Sequence, residues 1–331
     1  MEQTGKRDSA IELVRVVAMF MIIFDHMLLP INLPCKSIIS QFLNSGVYIF
    51  IILSGYLAGK KVITDWKSWY IKKIKRIMIP YWIVIGICLT YESIYTQSFN
   101  WKIWIVHILN VQGIFGTAYT TNPLWFVTLI MILYLVTPIY QWINQNFRKW
   151  LKAILIVLVI LQIILAYATD IGLQYGHNLS WCIAAITGYG IGYFSTKVDL
   201  KKISCKKIVL FTIFTVAILG ATMAARAMLD QQPIYDKVIA YDSMMIMSLD
   251  IALIVYFIGK LINRERILIL ISRLDKISYE FYLIHELIIV AVGYGVFYKH
   301  GAIAYLIVTI VITLIVAFAV NKFKELIEEK L

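Results

Sequence analysis

Two ionisable residues in the first long apolar segment are the strongest candidates for chemistry. Arg15 and His26 are eleven positions apart in that segment. At 3.6 residues per turn this spacing is about three helical turns, which places both side chains on one face, roughly 16 Å apart along the axis. Neutral imidazole can serve as a general base, so His26 is either a base or a buried, hydrogen-bonded histidine. Arg15 either lines a polar lumen or snorkels to the membrane interface.

Other ionisable residues in the apolar segments are weaker candidates. Asp25 is next to the candidate base but points about 100° away from it on an ideal helix. For the rest, hydrogen bonding between helices is an equally good explanation, and they are Glu92, Asp250, His285 and Glu286. The three other histidines are expected in loops or at the membrane surface, solvated by water, and they are His107, His177 and His300.

The composition indicates which kind of protein positions these residues. Of 331 residues, 61% are hydrophobic and 15% are charged, and the mean hydropathy is +0.79. Soluble proteins have about 45–50% apolar and about 25% charged residues. The composition therefore excludes a disordered chain, a collagen-like fibre and an ordinary soluble enzyme, and it indicates a polytopic membrane protein. The four cysteines form no CxxC pair, so we expect neither a disulfide framework nor a metal site.

The apolar segments predict an all-α fold of about ten transmembrane helices. A spanning helix needs about 20 mostly apolar residues. The candidate spans are 10–29, 38–58, 79–97, 123–143, 150–169, 180–195, 207–227, 243–261, 278–298 and 302–322. Segment 180–195 is short and contains three glycines, so we expect it to be either tilted or packed closely against a neighbouring helix. Residues 100–115 are apolar but short and rich in tryptophan, so we expect an interfacial or re-entrant segment there. We interpret residues 1–331 as one integral membrane domain.

The basic residues lie almost entirely on one side of these spans. Of the 31, 25 lie on the side that holds both termini, five lie on the other side, and Arg15 is inside the first span. Loops rich in lysine and arginine stay in the cytoplasm, so both termini are predicted to be cytoplasmic. Topology thus explains the net charge of +12, which is no reason to expect a nucleic acid as partner.

A basic, amphipathic segment covers residues 60–78 on the predicted cytoplasmic side. It combines several lysines with Trp66, Trp69 and Tyr70. It is either a surface helix attracted to anionic membrane lipids or a site for a phosphate-rich cytoplasmic ligand, and composition alone favours lipid. The sequence contains no GxxxxGK[ST] phosphate loop, so ATP hydrolysis is not expected.

Four stretches, in order along the chain, carry recognisable motifs. The first is Arg7-Asp8 with Glu12-Leu13-Val14-Arg15 and then His26, and the second is residues 46–57, GVYIFIILSGYL. The third is Lys73-Ile74-Lys75-Arg76 leading to Pro80-Tyr81-Trp82, followed by Trp125-Phe126, Tyr134 and Pro138. The fourth is residues 277–285, ISYEFYLIH. Together these stretches resemble the bacterial membrane-bound acyltransferase-3 family. That family often has Arg-x2-Arg where this chain has Lys73-x2-Arg76, and lysine lacks the bidentate fork of arginine.

The resemblance implies a bacterial cytoplasmic-membrane enzyme that moves an acyl group, most commonly acetyl, from cytoplasmic acyl-CoA to a hydroxyl group outside the cell. The acceptor would be a cell-surface glycan, a lipid-linked sugar or a similar molecule. His26 would take the proton from the acceptor, Arg15 would help to hold CoA or polarise the tunnel, and Lys73 and Arg76 would grip the CoA phosphates. Packing or tunnel shape is the favoured role for Ser54, Trp125, Tyr279, Tyr282 and His285. Some relatives carry a fused extracytoplasmic domain, whereas this chain would act alone or with a separate partner.

Two other functions are compatible with the sequence. A transporter or exporter of a small metabolite or glycan would also have about ten spans and buried charges, although no inverted repeat is visible in the sequence. An auxiliary membrane subunit of a polysaccharide assembly system would have the same composition without catalysis. Consumption of acyl-CoA with release of free CoA separates the acyltransferase from both.

Overall fold

The structure is a computed structural model, and it describes residues 8–168, 172–173, 177–198, 200, 203–229 and 232–330. The described chain is almost entirely helical, which confirms the predicted helical class. Its α-helices are α1 (Ser9–Met27), α2 (Lys36–Gly59), α3 (Trp66–Tyr95), α4 (Trp101–Ile108), α5 (Gln112–Phe115), α6 (Trp125–Leu135), α7 (Thr137–Asn146), α8 (Leu151–Ala168), α9 (Leu179–Phe194), α10 (Cys205–Leu229), α11 (Ala240–Leu261), α12 (Glu265–Ile288) and α13 (Tyr294–Glu328).

Short elements of other types connect or extend these helices. The 3₁₀ segments are Tyr119–Leu124, Arg148–Trp150 and Ser195–Lys197, and the π-helical segments are Tyr235–Ile239 and Ile289–Gly293. Two strands of two residues each, β1 (Gly172–Leu173) and β2 (His177–Asn178), pair antiparallel, with Gly172 opposite Asn178.

Seven of the described helical segments are long and apolar enough to cross a membrane. They are Ile38–Gly59, Trp66–Tyr95, Tyr119–Asn146, Arg148–Ala168, Cys205–Arg226, Tyr235–Leu261 and Glu265–Glu328. The last has 64 residues, far more than one crossing needs, and Gly301 interrupts it with φ of 81°, a conformation that glycine adopts without strain. Helices α1 and α9 are apolar but outside this set, since α1 carries Glu12, Arg15 and Asp25 and α9 has 16 residues. The count of ten spans stays a prediction.

The basic segment 60–78 and the predicted span 79–97 do not form separate elements. Helix α3 begins at Trp66 and continues through Pro80 to Tyr95. Its start is fixed by Asp65, whose carboxylate accepts a hydrogen bond from the backbone N–H of Ser68 at 3.0 Å. The basic residues from Lys67 to Arg76 therefore lie on the same helix that runs on into the bundle, whereas Lys60 and Lys61 precede it.

Helix α9 packs closely against α2, as its glycines predicted. A Cβ atom on Gly192 would lie 1.9 Å from the carbonyl oxygen of Ile52, and one on Gly55 would lie 2.0 Å from that of Tyr189. Neither position has room for a side chain, so glycine permits direct contact between the two backbones.

Helices α1 and α12 lie side by side and run in the same direction. Arg15 pairs with Asp275, and His26 faces Glu286, so the same eleven-residue step separates the two contacts on both helices. Lys260 pairs with Asp8, and Lys276 pairs with Glu325 near the end of α13. The described chain therefore begins and ends at one end of the bundle, which we call the basic end because Lys72, Lys75 and Arg76 are exposed there.

Candidate active site

A cavity of about 590 Å³ enters the bundle from the basic end. Its wall contains seven basic and four acidic side chains, an excess of three positive charges. The basic ones are Arg15, Lys72, Lys73, Lys75, Arg76, Lys276 and Lys324, and the acidic ones are Asp275, Glu280, Glu325 and Glu328. An excess of lysine and arginine at a cavity mouth favours a ligand that carries phosphate or another multiple negative charge.

The two cations predicted to grip a donor both line this cavity. The ammonium of Lys73 lies 4.6 Å from the ring centre of Tyr134 and 5.5 Å from that of Trp69. These cation–π contacts hold the lysine stem along the aromatic wall. Arg76 lies one turn further along α3 and is exposed at the mouth. The structure thus places both at the same opening.

Arg15 lies deep on the cavity wall and does not snorkel to the surface. One of its guanidinium nitrogens is 2.6 Å from a carboxylate oxygen of Asp275. The two side chains are 19% and 3% exposed, so the ion pair is largely removed from water. The sequence did not single out Asp275. A signal for Asp275 is nevertheless present in the sequence. Asp275 and Glu286 are eleven residues apart, which is the same spacing as that of Arg15 and His26.

A second buried ion pair on the same wall joins α12 to α13. The ammonium of Lys324 is 2.6 Å from a carboxylate oxygen of Glu280, and the side chains are 15% and 1% exposed. Sequence reasoning missed both residues, because Lys324 was counted with the charges at the membrane surface. Together with Arg15 and Asp275, this pair gives the cavity wall fixed charges of both signs.

His26 belongs to a group of three residues that we call the His–His–Glu cluster, formed by His26, His285 and Glu286. The Nδ1 atom of His26 is 3.4 Å from Oε2 of Glu286. The rings of the two histidines meet edge to face, with centres 5.1 Å apart. Nδ1 of His285 hydrogen-bonds the backbone carbonyl of Tyr282, one turn earlier on α12. The carboxylate of Glu286 is 7% exposed and the His26 side chain is 24% exposed.

The cavity reaches to within one helical turn of this cluster. Among the described residues of its lining, Ile22 lies four positions before His26, and Tyr282 lies three positions before His285. One turn of helix corresponds to about 5.4 Å. A long ligand that enters at the basic end therefore approaches the candidate base with its far end. The sequence identified the two histidines and Glu286 singly, but did not predict that they lie together.

The aromatic residues of the fourth stretch fasten helices together along the cavity. The hydroxyl of Tyr279 donates to the carbonyl of Ile77 at 3.2 Å, and that of Tyr282 donates to the carbonyl of Pro123. Both side chains line the cavity, as does Ser54. Trp125 packs edge to face on Trp181 at 5.2 Å between ring centres. These contacts support the role in packing and cavity shape that the sequence favoured.

Three weaker candidates hold polar contacts between segments. The carboxylate of Glu92 accepts hydrogen bonds from the backbone N–H groups of Tyr119 and Thr120 at 3.2 and 3.1 Å. Asp250 accepts from the hydroxyl of Thr212 on α10 at 3.0 Å. Asp25 accepts from Ser40 on α2. All three carboxylates accept hydrogen bonds from another segment, which is the structural role that the sequence left open for Glu92 and Asp250.

The expectation for His107 was wrong, whereas His300 is exposed as expected but lies in α13 beside Gly301 and not in a loop. His107 is fully buried, with its ring nitrogens 2.8 Å from the carbonyl of Ile103 and 2.8 Å from the hydroxyl of Thr121. Burial lowers its pKa, which favours the neutral ring. The short α4 folds over the core and encloses this ring, which the sequence of residues 100–115 did not reveal. The side chain of His177, and all of Arg7, lie outside the described residues.

Comparison with known proteins identifies the family of this chain. Comparisons with curated proteins and with solved structures find no match. A family model described as an acyltransferase domain matches residues 8–322, nearly the whole chain, including all three residues of the His–His–Glu cluster and the whole described length of α3. The chain therefore belongs to the acyltransferase-3 family.

Proposed function

We propose that the protein transfers an acyl group, with acetyl the first candidate, from cytoplasmic acyl-CoA to a hydroxyl group of an extracytoplasmic glycan or lipid-linked sugar. The observation that carries this proposal is the cavity, which begins among lysines and arginines and ends one turn from His26. The proposal includes ten spans in the bacterial cytoplasmic membrane, with the basic end and both termini in the cytoplasm. A separate extracytoplasmic protein would assist where the acceptor needs delivery.

The charges of the cavity suit acyl-CoA as the donor. Its nucleotide part carries several phosphate charges, and its pantetheine arm is long, thin and largely uncharged. Arg76 can hold a phosphate with two parallel hydrogen bonds, whereas Lys73 contributes a point charge. The arm would pass the Arg15–Asp275 pair and bring the thioester towards the cluster. Membrane lipids would contact the exposed apolar faces of the bundle.

The chemistry needs one proton acceptor and a group that holds it in position. With Glu286 near Nδ1 of His26, Nε2 is the nitrogen that faces the acceptor as the base. The acceptor O–H bond breaks as its proton moves to Nε2, and the oxygen attacks the thioester carbonyl. The tetrahedral intermediate then collapses, the C–S bond breaks, and the leaving sulfur takes the proton from the imidazolium. The products are an O-acyl ester and free CoA, and the Glu286 carboxylate stabilises the imidazolium between the two steps.

Replacing His26 tests the mechanism. Transfer from labelled acetyl-CoA by His26→Gln in proteoliposomes should fall by about 10²- to 10⁴-fold, the usual contribution of a general base. The KM for acetyl-CoA should stay within about twofold, since the imidazole does not touch the nucleotide. His300→Gln removes an exposed histidine elsewhere and should keep wild-type activity. Undiminished transfer by His26→Gln would exclude this residue as the base.

Replacing the mouth cations tests the donor site. The double variant Lys73→Gln/Arg76→Gln should raise the KM for acetyl-CoA by about tenfold or more, since each lost charge-assisted hydrogen bond is worth about 1.5–3 kcal/mol before exposure to solvent reduces it. Lys67→Gln is the matched control, because Lys67 is exposed on the same helix but is not part of the described cavity wall. An unchanged dependence on acetyl-CoA would show that the basic segment serves lipid binding instead.

Transport of a small metabolite or glycan is the competing function, and the ion pairs buried inside the bundle favour it. The two functions differ in their need for CoA. Uptake or efflux in proteoliposomes without formation of free CoA would support a transporter. Transfer of label with one free CoA formed per ester would support the acyltransferase.

A further inference from the structure

Three groups with lone pairs converge at the His–His–Glu cluster. Each of its residues offers one nitrogen or oxygen atom, and these three atoms all lie within 4.8 Å of one another. His26 and Glu286 already have the right separation for a shared metal ion, 3.4 Å. Ligands about 2.0–2.1 Å from a tetrahedral zinc ion are separated by about 3.3–3.4 Å from each other. The His26 side chain is 24% exposed, so its ring is less tightly enclosed than the Glu286 carboxylate.

His285 is held in the form that a metal ligand requires. Its Nδ1 hydrogen-bonds the carbonyl of Tyr282, and because a carbonyl only accepts, Nδ1 carries the proton. Nε2 therefore keeps a lone pair. That atom is buried and has no hydrogen-bond partner among the described residues. Metal-binding histidines usually donate their second ring N–H to a carbonyl or carboxylate in this way, which fixes the ring orientation.

Glu286 supplies the negative charge that a divalent cation needs. Its Oε2 is also buried without a hydrogen-bond partner among the described residues, apart from the longer contact with His26. A carboxylate that is 7% exposed in an apolar bundle is costly unless a cation or a donor compensates it. Two imidazoles and one carboxylate with an open fourth position form a donor set typical of zinc.

We propose that His26, His285 and Glu286 form a binding site for a divalent transition-metal ion such as Zn²⁺, and that bound metal blocks acyl transfer. The second part rests on the proposed function. An imidazole that coordinates through Nδ1 carries its proton on Nε2, so no lone pair remains to accept the proton of the acceptor hydroxyl. The metal would therefore inhibit by occupying the base, and its removal would restore the base.

Equilibrium binding of Zn²⁺ to purified, chelator-treated full-length protein tests the site without any need for activity. Wild type and His300→Gln should each bind one Zn²⁺ per chain with equal affinity in isothermal titration. Glu286→Gln and His285→Gln should bind at least about 100-fold more weakly, because losing even a group that orients a ligand costs about 10- to 100-fold. Wild type binding no more tightly than Glu286→Gln would overturn the site.

A spectroscopic measurement on the wild-type protein covers the case in which these variants fail to fold. Co²⁺ bound to the protein should show the intense visible absorption of a four-coordinate site with histidine ligands, and Zn²⁺ should displace it. A spectrum like that of the hydrated ion would overturn the proposal.

An activity measurement tests inhibition separately. Zn²⁺ should slow transfer from labelled acetyl-CoA over the range in which it binds, and a chelator should restore the rate. Loss of transfer on chelation would overturn the inhibitory role, since it would make the metal a requirement. Stoichiometric Zn²⁺ binding by a protein that transfers no acyl group even in its metal-free, chelator-treated form would leave the metal site standing and would refute the proposed function.

Discussion

Replacing Asp275 with asparagine should destabilise the protein by about 3–5 kcal/mol. The change keeps the size of the side chain but removes the charge that faces the Arg15 guanidinium. Because Arg15 lies inside the bundle, water cannot readily take over the role of the carboxylate. The cavity wall near the proposed path of the donor would then lose one of its four negative charges.

The magnitude follows from the geometry of the pair. The nitrogen and oxygen atoms are 2.6 Å apart, and the side chains are 19% and 3% exposed. With an effective dielectric constant of about 20, the attraction between unit charges at this distance is about 6 kcal/mol. Removing the carboxylate of Asp275 also removes the cost of desolvating that carboxylate, so the loss of stability is smaller than the attraction itself.

The assay is reversible unfolding of the purified protein in mixed micelles, with a double-mutant cycle. The loss of unfolding free energy in Arg15→Gln/Asp275→Asn should be smaller than the sum of the two single losses, and the difference should be at least about 2 kcal/mol. Asp8→Asn is the matched control at the same end of the bundle, because Asp8 and Lys260 are more exposed and the amide oxygen can still cap α1. It should cost no more than about 1 kcal/mol. Equal losses for Asp275→Asn and Asp8→Asn, or additive single losses, would refute the reasoning.

Two further stability predictions use the same unfolding assay. Gly55→Ala should destabilise the protein by about 1–3 kcal/mol or more, because its Cβ atom would lie 2.0 Å from the carbonyl oxygen of Tyr189. Gly86→Ala, where the added Cβ atom would meet no atom of another helix within 4 Å, should be neutral or slightly stabilising, and equal losses for the two variants would contradict the packing of α2 on α9. Tyr282→Phe should cost about 1–3 kcal/mol, because the buried carbonyl of Pro123 loses its donor, and a loss below about 0.5 kcal/mol would show that the carbonyl finds another.

The sequence predicted features that depend on local pattern. Apolar segments of about 20 residues predicted a helical membrane protein, and the eleven-residue step from Arg15 to His26 predicted a shared helix face. The structure agrees that both face one neighbour, α12. These predictions succeed because helical periodicity and bilayer thickness act within one segment.

Features that depend on contacts between segments distant in the sequence could not be predicted from the sequence. Asp275 meets Arg15 across 260 positions, and Glu286 meets His26 across the same separation. No local pattern shows that α12 is the helix beside α1. The prediction that His107 is solvated failed for a similar reason. Its hydrogen-bond partner Thr121 belongs to a separate short segment that folds back on α4.

Sidedness of transfer tests the central claim most directly. The acceptor, a mixture of cell-surface glycan fragments, is sealed inside proteoliposomes, and labelled acetyl-CoA, which does not cross the membrane, is added outside. If the cavity carries the thioester from the basic end to His26, label should appear on the enclosed glycans with wild type and not with His26→Gln. Label that appears only when donor and acceptor share one compartment would contradict transfer through the bundle.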